Sequence, residues 1–99
     1  MELLPRATAE TLPPLYGIEK SADPIAYVKF FTPDSSWTWY AFEYDPAEKI
    51  FYGLVEGFEK EWGYFSLDEL AEARGPLGLA IERDLFFEPT PRSVLTRRA

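Results

Sequence analysis

The chain has 99 residues, contains neither cysteine nor histidine, and carries a formal net charge of −7. Its length suits one domain, and its composition excludes disulfides, thiolate nucleophiles, Ser-His triads and metal sites built on cysteine or histidine. The negative charge disfavours binding to duplex nucleic acid or to an anionic membrane, because both are themselves negatively charged.

No segment approaches the ~20 apolar residues that a membrane-spanning helix needs, and the N-terminus lacks the basic and apolar regions of a signal peptide. We therefore expect a cytoplasmic protein without a membrane partner. The chain also lacks a glycine-rich phosphate loop followed by lysine, so no cofactor is predicted.

Residues 1–24 contain four prolines and predict an extended segment over the surface of a single domain, 1–99. Residues 25–65 predict a sheet. Aromatic and β-branched residues favour strands at 25–31, 36–44 and 50–58 and a short one at 62–65. Turns containing proline separate the first three strands, and such short connections favour an antiparallel meander.

The clearest helix signal follows the sheet. Residues 66–69 fit a capping box, in which the Ser66 hydroxyl accepts a hydrogen bond from the Glu69 amide. A helix is predicted over 66–74, with Gly75 ending it and Pro76 preventing its continuation. The fold class is therefore α+β, with a sheet of three to four antiparallel strands, one main helix and short terminal helical turns.

Residues 75–99 predict a glycine-punctuated crossing and a tail. The apolar run at 85–87, Leu-Phe-Phe, is expected to insert into the core. A terminal helical turn is expected at 93–98, where arginines suit the negative end of the helix dipole.

The second predicted strand has rings on both faces. Regular alternation puts Trp37, Trp39, Ala41 and Glu43 on one face and Ser36, Thr38, Tyr40, Phe42 and Tyr44 on the other. One helix can cover one face. Either terminal segments cover the second face, or aromatic surface stays exposed, which usually marks a binding site.

The predicted binding residues belong to this strand and its neighbour: Trp37, Trp39, Tyr40, Phe31 and Lys29. Exposed Trp and Tyr side chains favour a protein interface, and they also stack on unpaired bases of single-stranded nucleic acid. Lys29 is the one base in the neighbouring strand, which weakens the nucleic-acid alternative. A third interpretation assigns Trp37 and Trp39 simply to the core.

Acidic residues suggest two further alternatives. Residues 43–72 hold nine acids and two bases, so an acidic nucleic-acid mimic acting as an inhibitor is conceivable. Glu82 and Asp84 would share one face of a strand and are weak candidate ligands of a metal ion in a carboxylate-metal enzyme. A surface ion-pair cluster explains the same two residues more simply.

The run at 27–40, YVKFFTPDSSWTWY, resembles a family of small bacterial proteins that is defined as a domain of unknown function. The stretches 63–70, 74–79, 81–84 and 87–89 are similar to that family too. The resemblance implies a bacterial, cytoplasmic protein encoded on plasmids or other mobile elements, and it implies no activity or catalytic residue. We therefore predict a non-enzymatic protein-interaction module with an unidentified partner. A homodimer through an exposed edge strand stays open.

Overall fold

The computed structural model describes residues 1–97, so Arg98 and Ala99 of the predicted tail lie outside the described residues. The strands along this range are β1 (Ile25–Ala26), β2 (Val28–Phe31), β3 (Thr38–Asp45), β4 (Ile50–Glu56), β5 (Lys60–Ser66), β6 (Glu82–Arg83) and β7 (Thr90–Pro91). The helices are α1 (Arg6–Ala9), α2 (Leu67–Glu72) and α3 (Arg92–Arg97). The predicted α+β class is confirmed.

Five strands form one antiparallel sheet in the order β5-β4-β3-β2-β6. The predicted meander corresponds to β2 through β5, in which each strand pairs with the next. The prediction of three to four strands is too low, because β6 joins β2 from far along the chain and has only two residues. The predicted first strand also breaks at Tyr27, so that β1 pairs with β7 in a separate two-stranded sheet.

A β-bulge interrupts the pairing of β3 with β4. Ala41 lies opposite Gly53, whereas Glu43 lies opposite Tyr52, which leaves Phe42 as the extra residue. A bulge shifts the alternation of side chains by one residue. The prediction that Phe42 shares a face with Tyr40 is confirmed, but the predicted faces are wrong beyond Phe42: Tyr44 lies on the same face as Ala41, and Glu43 lies on the other face.

The two faces of the sheet carry separate core clusters. On the first, here the helix face, sheet residues pack against α2 and the N-terminal segment; its buried members are Leu3, Leu12, Val28, Phe30, Ala41, Tyr44, Phe51, Leu70 and Ile81. On the second, here the ring face, the buried members are Ala26, Phe42, Leu54 and Leu95, with Ile18, Tyr40 and Phe87 packed against them. Terminal segments thus cover part of the ring face, which was one of the two alternatives that the sequence left open.

Helix α2 begins where the sequence predicts and ends earlier. The Ser66 hydroxyl accepts a hydrogen bond from the Glu69 amide at 3.3 Å, which confirms the predicted cap. The helix ends at Glu72 because the chain turns into a tight loop, in which the Leu77 and Leu79 amides donate to the Asp34 carboxylate. With six residues each, α2 and α3 are equal in length, so the expectation of one main helix is wrong.

The C-terminal crossing differs from its prediction. Phe87 packs against Tyr40, but Leu85 and Phe86 project into solvent, and Phe86 is 93% exposed. The expected insertion of 85–87 into the core therefore holds for Phe87 alone. Helix α3 begins at Arg92, one residue before the predicted helical turn. No helix within residues 1–97 is both long enough and apolar enough to cross a lipid bilayer.

Candidate functional site

The two tryptophans of the predicted binding surface lie on the helix face. Trp37 and Trp39 stack with their ring centroids 5.9 Å apart, and both are half-buried. Trp39 packs against the core cluster of that face, and Phe58 meets the Trp37 ring edge-on at 5.4 Å. Trp39 therefore contributes to the core, whereas Trp37 extends the stack towards the exposed Phe58, and both rings remain partly accessible.

The other three predicted binding residues lie on the ring face. Lys29 pairs with Tyr40 in the strand register, and Phe31 pairs with Thr38. The Lys29 Nζ atom lies 3.7 Å from a carboxylate oxygen of Asp84 and 6.0 Å from the centroid of the Tyr40 ring. The structure therefore divides the five predicted residues between opposite faces, and they do not form one surface.

Of the two weak metal candidates, Asp84 is engaged in local contacts. Asp84 pairs with Lys29, and its Oδ1 atom accepts a hydrogen bond from the Phe86 amide at 2.9 Å. Glu82 lies in β6, opposite Phe31. In the part of the chain that the structure describes, no three acidic side chains come close enough together to hold a metal ion.

A cavity that the sequence did not predict lies on the ring face, between the N-terminal segment and strands β3 to β5. Its volume is about 480 Å³. Its walls include four aromatic side chains, two acids and one base: Tyr16, Tyr52, Trp62, Tyr64, Glu19, Glu43 and Arg92. A concave site with rings and a few converging polar groups is the usual form of a ligand site.

The rings of this cavity are contiguous. Tyr52 lies 6.1 Å from Trp62 in a stacked arrangement and 5.1 Å from Tyr64 in an edge-on arrangement. Trp62 also contacts the buried Phe42 ring at 4.9 Å, which anchors it to the core. Trp62 is nevertheless 40% exposed and Tyr64 56% exposed, on a strand that forms one edge of the sheet.

Tyr16 forms the opposite wall of the cavity. Its backbone adopts φ 67°, in the left-handed region that residues other than glycine rarely occupy. A hydrogen bond joins the Tyr16 and Tyr64 side chains, and this bond, with partial burial and nearby groups that include Glu43, raises the pKa of Tyr64. The two tyrosines therefore link the N-terminal segment to the edge strand across the cavity.

Glu43 is the buried acid of the cavity and is only 3% exposed. Its Oε2 atom accepts a hydrogen bond from the Ile18 amide at 2.9 Å. No lysine or arginine within residues 1–97 lies close enough to form an ion pair with it. The bulge in β3 explains its position, because regular alternation would point this carboxylate into the helix-face core.

Arg92 is the base at the rim of the cavity. Its guanidinium donates to the carbonyl oxygen of Ala22 at 3.2 Å, and its own amide donates to the Pro24 carbonyl at 2.8 Å. These bonds hold the start of α3 against the N-terminal segment. Arg92 is exposed and forms no ion pair with Glu43.

A family model described as a protein of unknown function (DUF2958) matches residues 3–98. The chain belongs to the DUF2958 family. No curated protein and no solved structure matches it. The resemblance to an uncharacterised family is thereby confirmed, and the DUF2958 description assigns no activity to the cavity.

Every residue named in the cavity lies inside the part of the chain that matches DUF2958. Sequence reasoning missed Trp62, Tyr64 and Tyr52 because it followed the richer aromatic strand. Two signals were present. One is the Trp-Gly-Tyr alternation at 62–64 on a predicted short strand, and the other is a lone acid, Glu43, within an aromatic run. Chemically, rings beside a buried carboxylate suit a positively charged group.

Proposed function

We propose that this DUF2958 protein is a small, non-enzymatic interaction module that binds a basic segment of a partner protein on its ring face. One observation carries the proposal. Trp62 and Tyr64 remain exposed on an edge strand, beside a cavity of about 480 Å³ whose wall contains the buried Glu43. Tryptophan and tyrosine are the residues that most often dominate the binding energy of protein interfaces.

Charge supports a basic partner. The chain carries a net charge of −7, and the acids of 43–72 include Glu61 in β5 and Glu59 in the turn before it. Complementary charge accelerates association and selects against acidic partners. The same charge opposes single-stranded nucleic acid, which needs a basic track beside the rings. On the ring face, Lys29 already pairs with Asp84.

The setting that we propose follows from the family resemblance. It is the cytoplasm of a bacterium, where the module would act as an accessory or inhibitory factor carried with plasmids or other mobile elements. This part of the proposal is tested separately, by the genomic neighbourhood of the gene.

The binding proposal is tested with defined peptides and one oligonucleotide. We expect arginine- and lysine-containing decapeptides to change tryptophan fluorescence saturably, whereas acidic decapeptides and a 12-nucleotide oligothymidylate give no response. Trp62→Ala should weaken peptide binding by roughly tenfold or more, because it removes an exposed ring of the kind that anchors interfaces. Trp37→Phe is the matched control, since Trp37 lies on the opposite face and its change should leave the affinity within about twofold.

Three outcomes would contradict the proposal. Saturable binding of oligothymidylate without peptide binding would show that the ligand of the ring face is single-stranded nucleic acid. Equal losses in Trp62→Ala and Trp37→Phe would show that the ring face is not the binding surface. Absence of binding by every peptide in the set would refute a basic partner segment.

A further inference from the structure

We propose that the ring-face cavity binds the guanidinium group of an arginine side chain, with Glu43 as its counter-ion. The proposal deepens the proposed function, on which it rests for the source of the arginine, a partner segment. The chemistry of the cavity is argued from its own residues, so it can fail or succeed separately.

The burial of Glu43 without an ion-pair partner is the first argument. A buried carboxylate loses most of its hydration, and it is stabilised by a paired cation together with good hydrogen bonds. Glu43 is 3% exposed and accepts a hydrogen bond from one backbone amide, that of Ile18. Within residues 1–97 it has no ion-pair partner. An incoming guanidinium would supply the cation and could donate parallel N–H bonds to the carboxylate.

The rings are the second argument. A guanidinium is planar and weakly hydrated, and it stacks on aromatic faces better than an ammonium does. Tyr52, Trp62 and Tyr64 form a continuous aromatic wall, and Trp is the strongest partner for a cation. A guanidinium against this wall would lie beside Glu43, because Glu43 and Tyr52 are register partners across β3 and β4.

The charges around the cavity favour a positively charged ligand. Its lining carries two acids, Glu19 and Glu43, against one base, Arg92. Arg92 is held at the rim by the Ala22 carbonyl and does not occupy the position beside Glu43. An anion would be attracted by Arg92 but repelled by the buried carboxylate, whose charge is screened less than that of the exposed arginine.

The volume is sufficient. A cavity of about 480 Å³ has room for an arginine side chain, and two of its lining residues, Trp62 and Tyr64, belong to the edge strand β5. Tyr16, which is linked to Tyr64, bounds the far side. An extended segment passing along β5 would therefore have its backbone outside the cavity and a long side chain inside it.

The test compares two isosteric probes. Nα-acetyl-arginine amide and Nα-acetyl-citrulline amide have nearly the same shape, but citrulline has a neutral urea in place of the guanidinium. Both are titrated into the whole protein, with amide chemical shifts followed by NMR. We expect the arginine probe to shift the signals of Glu43, Tyr52 and Trp62 and to bind about tenfold or more tightly than the citrulline probe.

Variants distinguish the contribution of Glu43 to arginine binding from that of Arg92 at the rim. Glu43→Gln keeps an acceptor for the Ile18 amide and should remove the preference for arginine over citrulline. Glu48→Gln, at an exposed turn outside the cavity, removes the same charge and should keep that preference. Arg92→Gln removes a like charge and should tighten the arginine probe by roughly twofold to threefold.

The contrary outcomes are distinct. Equal affinity for the two probes, or no saturable shift with arginine amide, overturns the proposal, and so does a loss of arginine binding in Arg92→Gln. Equal binding of Nα-acetyl-lysine amide overturns the assignment to guanidinium. If arginine amide binds the cavity but no decapeptide does, the proposed function fails while this inference holds. If decapeptides with citrulline in place of arginine bind as tightly as the original decapeptides, this inference fails while the proposed function holds.

Discussion

Tyr16 shows how a single residue can hold one wall of the cavity at a cost. Its φ of 67° costs a residue with a side chain roughly 1–2 kcal/mol compared with the ordinary helical region. Neighbouring bonds keep it there, because the Gly17 amide donates to the Pro14 carbonyl and the Ile18 amide donates to Glu43. Strained backbone of this kind is found most often where a structure is organised to bind.

Asp23 joins the N-terminal segment to the start of α3. Its two carboxylate oxygens accept hydrogen bonds from the Ser93 amide at 2.9 Å and from the Ser93 hydroxyl at 2.7 Å. The side-chain bond to Ser93, then the backbone bond, and the charges of Arg92 and Arg97 lower the pKa of Asp23 below its ordinary value. The carboxylate thus supplies an N-terminal acceptor to a helix that has no acid in its own first turn.

The pH dependence of this link follows from the direction of the shift. Because the folded pKa is lower than the unfolded one, its contribution to stability is full above about pH 4 and is lost as the pH falls through the folded pKa. We expect Asp23→Asn to lower the thermal midpoint at neutral pH, with a difference from wild type that shrinks towards pH 3. Circular dichroism melts across this range measure it.

Glu48→Gln is the control for this prediction, since Glu48 is an exposed acid with no ion pair among the described residues. It should change the thermal midpoint little at any pH. A difference between Asp23→Asn and wild type that stays constant down to pH 3 would contradict the assigned role of the carboxylate.

Among the elements of the fold, the β3–β4 pair decides where the candidate site lies. Its bulge turns Glu43 from the helix face to the ring face. The same pair brings the backbone of Gly53 so close to the Tyr40 carbonyl that an added Cβ atom would collide with it. Gly53 is therefore required by a close backbone approach, and the bulge depends on it.

Gly53→Ala is expected to destabilise the protein by more than ~2 kcal/mol, because backbone must move to accommodate the methyl group. Gly63→Ala is a matched control, since Gly63 is the register partner of Gly53 in β5 and has open space where its Cβ would be. That change should be neutral or stabilising by up to ~1 kcal/mol. Urea unfolding of the two variants compares them directly, and equal stabilities would show that the bulge does not depend on Gly53.

The elements also show what sequence could and could not predict. The meander and the Ser66 cap follow from local signals, namely β-branched and aromatic runs, proline turns and a capping pattern, and these predictions are confirmed in the main. The bulge, the pairing of β6 and the break at Tyr27 depend on contacts between distant residues. Local patterns do not contain those contacts.

The binding residues illustrate the consequence. Alternation along β3 predicts Trp37 and Trp39 on one face and Tyr40 on the other, and the structure has them so, with Phe31 and Lys29 on the side of Tyr40. Which rings stay exposed depends on where the terminal segments lie. Helix α3 covers Phe42 and Leu54 and leaves Trp62 and Tyr64 open, and no pattern within β5 could have shown that.

At the scale of the whole molecule, the two edges of the sheet are unequal. At one edge, β6 has only two residues. Its Arg83 amide donates a hydrogen bond to the Met1 sulfur at 3.3 Å, so this donor is not free to pair with another strand. At the other edge β5 has seven residues, with β4 as its one neighbour in the described sheet. An open edge of this length can add a strand from another chain, so the ring-face cavity adjoins the edge best able to hold an extended segment.

The distribution of charge gives a last prediction at this scale. Seventeen acids oppose ten bases, and the four ion pairs within residues 1–97 include mostly exposed side chains, which contribute little each. Self-repulsion should therefore outweigh these pairs at low ionic strength. We expect the thermal midpoint to rise as NaCl is increased from 10 to 150 mM, because salt shortens the screening length from about 30 to about 8 Å.

A charge-reduced variant tests the cause. Glu48, Glu59 and Glu72 are exposed and belong to no ion pair in the described part of the chain, so changing all three to Gln removes repulsion without breaking a recorded contact. This variant should melt at a higher temperature than wild type in 10 mM NaCl and respond less to added salt. A wild-type midpoint that falls with salt would mean that favourable pairs outweigh repulsion. The acidic surface would then be part of what stabilises the fold, and it would be less free to attract a basic partner.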